Sequence, residues 1–192
     1  MKKTLYLASK NPGKIAEYRK MLSNVNCELF LQPNSIDIIE DGKDFKENAI
    51  KKAYEVSIKT NNYAIADDSG LCVKSLNGRP GIYSSRYAKN DTKRIHRVLD
   101  ELVGCDDLSA FFVANICLCS PEGKIILDVE EKCYGKIIFK PRGKNGFGYD
   151  PIFEEINSKL TFAEMSDEVK EKYSHRGKAI NKIIPDLLKL FN

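Results

Sequence analysis

The chain has 192 residues, 42% of them hydrophobic and 30% charged, with a formal net charge of +4. That length supports a sizeable core and a single domain with room for two lobes. The apolar runs are only a few residues long, far short of the ~20 that a bilayer span needs, and Met1-Lys2-Lys3-Thr4 has no secretory apolar core, so a cytoplasmic protein off the membrane is expected.

Thr4 to Ala8 reads as a buried strand, and Ser9-Lys10-Asn11-Pro12-Gly13-Lys14 as the turn after it. A helix is expected from near Gly13, with Ile15, Tyr18, Met21 and Leu22 on one face and Lys14, Glu17 and Lys20 opposite. Cys27 to Leu31 is the next strand, which makes the opening a strand-loop-helix-strand unit and predicts a mixed α/β fold. A second helix is predicted from Phe45 to about Lys59, with Asp44 as its N-cap. Tyr63 to Ala66 is a third strand that ends on Asp67 and Asp68, and Leu71 to Val73 forms a further short run beyond Gly70.

Farther along, Asn77 to Gly81 is turn-rich and Lys93 to Val103 is a helix candidate. Ala110 to Ser120 and Lys124 to Cys133 read as an antiparallel hairpin around Pro121-Glu122-Gly123. Pro141 to Pro151 is a glycine-bearing loop, and from His175 onward the chain is helical, although Pro185 is expected to break or kink it. The six cysteines show no Cys-x-x-Cys or zinc spacing, so free buried thiols in a reducing compartment are expected.

The chemistry is concentrated in loops. Two adjacent carboxylates, Asp67 and Asp68, repel each other unless a proton or cation intervenes. Followed by Ser69 and Gly70, they read either as a solvated turn or as a site for a hard divalent cation such as Mg²⁺. Ser9 to Lys14 offers backbone N–H groups and a lysine at a helix start, which suits a phosphate, although the Walker A spacing is absent. Glu40-Asp41-Gly42 offers a further carboxylate. Lys51 and Lys52 point about 100° apart on a helix, so only one can face a given ligand squarely. Gly143 to Pro151 places Phe147 and Tyr149 among glycines, where a flat ligand could stack or the aromatics could pack inward. Ser174-His175-Arg176-Gly177 starts the last helix, with Ser174 as N-cap and Arg176 able to present paired donors to oxygen.

Taken in order, Ser9-x-Asn11-x-x-Lys14, Phe45-x-Glu47-Asn48-Ala49, Ala66-Asp67-Asp68-Ser69-Gly70-Leu71, Pro80-Gly81-Ile82-Tyr83-Ser84-x-Arg86-Tyr87, Gly146-Phe147-Gly148-Tyr149-Asp150-Pro151 and Ser174-His175-Arg176-Gly177 resemble the inosine/xanthosine triphosphate pyrophosphatase family. The resemblance implies an elongated mixed central sheet flanked by helices, two lobes with the substrate cleft between them, and a homodimer. It implies cleavage of a purine nucleoside triphosphate (ITP, dITP or XTP) between its α and β phosphates, which cleanses the nucleotide pool. By the same resemblance Asp68 is the general base and a metal ligand, and Glu40 is the second ligand to Mg²⁺, with Asp41 as the alternative. Ser9, Lys10, Asn11, Pro12, Gly13, Lys14, Lys52 and Ser69 correspond to triphosphate contacts, and Phe147, Gly148, Tyr149, Asp150, Lys170, His175 and Arg176 to base recognition.

Two competing readings are a Maf-like pyrophosphatase for pyrimidine or modified nucleotides and a silent nucleotide- or RNA-binding module. The first expects a Ser-Pro-Arg-Arg-like turn where Ser9 to Lys14 stands. The second is disfavoured by acids that would repel phosphate without a metal. The mild, scattered positive charge likewise makes no demand for nucleic acid.

Overall fold

A computed structural model describes residues 2–192. The chain opens with β1 (Lys3–Ala8), α1 (Pro12–Met21), β2 (Cys27–Leu31), α2 (Phe45–Thr60) and β3 (Tyr63–Val73). It continues through α3 (Asp91–Glu101), β4 (Ser109–Cys119), β5 (Ile125–Ile137), β6 (Phe153–Glu155), α4 (Asp167–Tyr173) and α5 (His175–Phe191). The helix starts are set by short polar side chains in extended backbone. Asn11 Oδ1 accepts from the Gly13 and Lys14 N–H groups, Asp44 from Glu47 N–H, Asn90 from Lys93 N–H and Ser174 from Gly177 N–H.

The six strands form one mixed α/β sheet in the order β2-β1-β3-β4-β5-β6. β1 runs parallel to both neighbours, with Leu5 opposite Leu29 on β2 and Leu7 opposite Ile65 on β3, while β5 and β6 are antiparallel. Because β2 and β3 lie on opposite sides of β1, right-handed crossovers require α1 and α2 to cover opposite faces.

The chain divides into two compact units. The first comprises the chain up to Asp68 together with Ala114–Glu130 and Ala179–Asn192; the second is Ser69–Val113 with Glu131–Lys178. In the first unit, strand alternation sorts the core by size. Leu5, Leu7, Ile65, Ile116 and Leu118 face α1 and α5, where they meet Tyr18, Ile180, Ile183 and Leu187. Ala8, Ala64, Ala66, Cys117 and Cys119 face α2, whose buried stripe is Ala49, Ala53 and Val56. In the second unit Phe112, Phe153 and Phe162 form an aromatic cluster together with Leu71, Val73 and Val98.

Two expectations need correction. The acidic pair does not end a strand, because β3 continues without a break from Tyr63 to Val73 and includes Leu71–Val73. That also removes the turn reading of Asp67-Asp68-Ser69-Gly70. The extended backbone is tolerated because each carboxylate has a lysine waiting for it. Nor does Pro185 end the last helix, which runs on to Phe191. Pro185 and Asn181 lie on the exposed face, so the Asn181 carbonyl that loses its N–H partner can take water, while buried Ile183, Leu187 and Phe191 hold the helix on the core side. β6 and α4 carry too short a pattern to be anticipated from periodicity.

Candidate active site

In the first unit, alternation along β3 sends the two acids to opposite faces of the sheet. Asp67, on the face of Ile65, accepts from Lys14 Nζ of α1 at 2.7 Å and lies 3.5 Å from the Tyr18 hydroxyl. Asp68, on the face of Ala64 and Ala66, accepts from Lys52 Nζ of α2 at 2.9 Å and from Asn48 Nδ2 at 3.2 Å. Lys52 Nζ also donates to Glu40 Oε1 at 2.8 Å and to the Asp67 carbonyl at 3.0 Å, and Lys14 Nζ donates to that same carbonyl at 3.1 Å. One ammonium group is thus surrounded by three hard oxygens, one from the segment before α2 and two from consecutive residues of β3.

Burial works against the Lys52 charge, but the Asp68 and Glu40 carboxylates outweigh it and raise its pKa above the ordinary lysine value. Asp68 is also pushed upward, first by burial, with Lys52 and Lys14 offsetting part of the effect and Glu40 adding to it. A carboxylate shifted in this direction is a better proton acceptor than a solvated one. The neighbouring Asp41 takes a different partner, Lys51 Nζ at 2.6 Å, so the two lysines that diverge around α2 each select one acid of the Glu40-Asp41 pair.

The oxygen set around Lys52 has the chemistry of a hard-cation site. Mg²⁺ is commonly held by one or two carboxylates with water and substrate phosphates completing its shell. Glu40 and Asp68 fit that half-built arrangement. Among the described residues no group of three or more His, Cys, Asp or Glu side chains gathers to form a self-sufficient metal cage. The Ser9 to Lys14 loop is largely self-capped: Ser9 Oγ accepts from Asn11 N–H, Asn11 caps α1, and Lys10 reaches out to exposed Asp37.

In the second unit, Asp150 accepts from the Phe147 N–H at 2.8 Å and from buried Lys170 Nζ of α4 at 2.7 Å, so its carboxylate ties the loop to itself and to the helix. The cation of Lys170 lies 5.0 Å from the Phe147 ring centroid and that of Arg176 lies 5.9 Å from it. Arg176 Nη2 donates to Ser69 Oγ at 2.7 Å. His175 is stacked on Phe112 with centroids 4.8 Å apart, and Tyr149 is buried with its hydroxyl donating to the Ser84 carbonyl. Gly148 N–H donates to Asp91 at 2.7 Å. The loop therefore presents Phe147 beside two cations, in a frame held by Asp150, Tyr149 and Asp91.

The sequence model of the Ham1 family matches residues 5–186. The chain belongs to the Ham1 family. It is 65% identical over 190 residues to a dITP/XTP pyrophosphatase of Prochlorococcus marinus subsp. pastoris, a match covering 99% of this chain and 100% of the relative. A HAM1 protein from Coxiella burnetii superposes with a TM-score of 0.86 at 39% identity, covering 97% of this chain and 98% of that one. The Staphylococcus aureus Ham1 protein gives 0.86 at 36% identity, covering 98% and 100%.

In this Ham1 protein the structure adds residues to which sequence reasoning gave no role. Asn48 donates to Asp68 and accepts from the Gly42 N–H at 2.8 Å, so it couples Asp68 to the Glu40-Asp41-Gly42 segment. A signal for it was present: a carboxamide on the apolar stripe of α2, next to Ala49. Asp91 and Ser84 support the Phe147 loop from segments with no local sign of that role.

Proposed function

We propose that this protein hydrolyses deaminated purine nucleoside triphosphates (ITP, dITP and XTP) to the nucleoside monophosphate and pyrophosphate, with Mg²⁺ as cofactor. The observation that carries the reading is the cluster in which Glu40, Asp68 and the Asp67 carbonyl converge on Lys52. Its support is the full-length likeness to a relative bearing the dITP/XTP pyrophosphatase name.

In this reading Asp68 accepts the proton of the attacking water as the α–β anhydride breaks, and Glu40 and Asp68 hold the cation. Bound Mg²⁺ would neutralise phosphate charge and make water more acidic. Lys14 and Lys52, with Ser9 to Gly13 and Ser69, take the triphosphate. Lys52 can release a carboxylate to a cation and turn to a phosphate oxygen without leaving the site. Phe147, with Gly148 and Tyr149, offers a surface for the purine, held by Asp150 and Lys170. His175 and Arg176 complete the base set, where guanidinium donors favour a 6-oxo over a 6-amino group. A site built on such a hydrogen bond discriminates by about 10⁴-fold. The working form is proposed to be a homodimer in the cytoplasm. No helix of the described residues is long and apolar enough to cross a membrane.

The test is product analysis on a panel of ITP, dITP, XTP, GTP and ATP, with Mg²⁺ and with EDTA. Pyrophosphate released from the first three, lost in EDTA and restored by Mg²⁺, is expected. Orthophosphate as the product rejects the cleavage site, and equal turnover of ATP rejects the base assignment.

A further inference from the structure

β4 alternates as β3 does. Ile116 and Leu118 face α1 and α5, whereas Cys117 and Cys119 face α2, so the same parity places Asn115 on the α2 face. β3 and β4 are neighbours in the sheet and run in opposite directions, since β3 begins in the first unit and leaves it after Asp68 while β4 enters it at Ala114. On the α2 face the apolar ladder of β3 ends at Ala66 and that of β4 at Cys117. The next residue on that face is Asp68 on one strand and Asn115 on the other.

Asn115 is only 2% exposed, and its Oδ1 is buried with no hydrogen-bond partner in the protein. Such an amide carries a desolvation cost that an apolar side chain such as valine does not. It therefore calls for an acceptor role that the protein's own donors do not supply.

We propose that Asn115 is a positioning residue of the site at Asp68, its carboxamide oxygen accepting a hydrogen bond from a water in the shell of the divalent cation held by Asp68 and Glu40. The inference rests on the metal-dependent reading given above. Mg²⁺ keeps several waters, and each is a strengthened donor that needs an acceptor. A neutral amide meets that need without adding a third negative charge beside Asp68 and Glu40, and without competing with Asp68 for the proton. The cost of burying the amide is then offset only in the loaded state.

The test compares full-length N115V and N115T, near-isosteres that differ in one acceptor oxygen. Mn²⁺ binding is followed by calorimetry without nucleotide, and melting temperature is measured without metal. N115V is expected to melt at or above wild type when metal-free yet to bind Mn²⁺ about 10-fold to 100-fold more weakly, with N115T recovering part of the affinity. Equal Mn²⁺ affinity in wild type and N115V overturns the proposal, as does a metal-free N115V that melts lower, because the amide then serves the fold. Wild type that binds no Mn²⁺ also overturns it. Pyrophosphate release from ITP by wild type is scored separately, so the proposal can fail while the function stands.

Discussion

Asp67 and Asp68 are adjacent in sequence yet hold different lysines on opposite faces of the sheet, and this separates what their amides should do. Asp68→Asn leaves Lys52 still paired with Glu40, so the fold should survive while turnover drops by about 10²- to 10⁴-fold, the usual contribution of a general base. Steady-state kinetics with circular dichroism checks both halves. Asp67→Asn strips the charge from a fully buried carboxylate against Lys14. Breaking a buried pair by removing one partner costs on the order of 3 kcal/mol, which a urea titration would show as a lowered midpoint. The cysteines make a second prediction at this scale. All six are free, and burial pushes the Cys133 thiol up to about 12. At pH 8 its thiolate fraction is then roughly 10⁻⁴, and the thiolate is the reactive species. Native protein at that pH should leave Cys133 unlabelled by a thiol reagent that modifies all six cysteines after unfolding, with half-buried Cys27 and Cys105 reacting first.

At the scale of the element, the glycines of the Phe147 loop have a cause inside the loop itself. Glycines there suggested close approach to a ligand. Gly146 instead has φ +75°, and a Cβ on it would sit 1.9 Å from Asp150 Oδ2, the oxygen that receives the Phe147 N–H and Lys170. Gly146→Ala should therefore displace the carboxylate and free Phe147, destabilising the protein by about 1–3 kcal/mol and narrowing the ITP-over-ATP preference. A denaturation midpoint and the nucleotide panel measure the two effects. β1, β2 and α2 were legible because a clean apolar period with a cap such as Asp44 has one local solution. β3 was legible only in its first half. Past Ala66 its polar residues look like a turn until Lys14 and Lys52, which lie 53 and 16 positions from the acids they bind, are brought to them by α1 and α2.

For the whole molecule, the first unit is assembled from three separated stretches, the last of them Ala179–Asn192. Ile180, Ile183, Leu187 and Phe191 from that stretch are buried in its core, each contributing about 1.5–3 kcal/mol, a sum comparable with the ~5–15 kcal/mol of net stability in an ordinary domain. A chain ending at Lys178 should fail to fold, seen as loss of near-ultraviolet dichroism and of urea cooperativity, even though it keeps Asp68, Lys52 and Phe147.

By itself the sequence determined the α/β class, the early caps and helices, and the six ordered motifs that carried the family resemblance, because these depend on local period and residue type. Tertiary structure decided which side chains meet. It sent Asp67 to Lys14 and Asp68 to Lys52, gave Glu40 rather than Asp41 to the ammonium that Asp68 shares, and set Asn115 on the Asp68 face of the sheet. Each of these outcomes turns on which face of a strand or helix a side chain takes and what distant segment waits there, and a linear pattern does not contain that information.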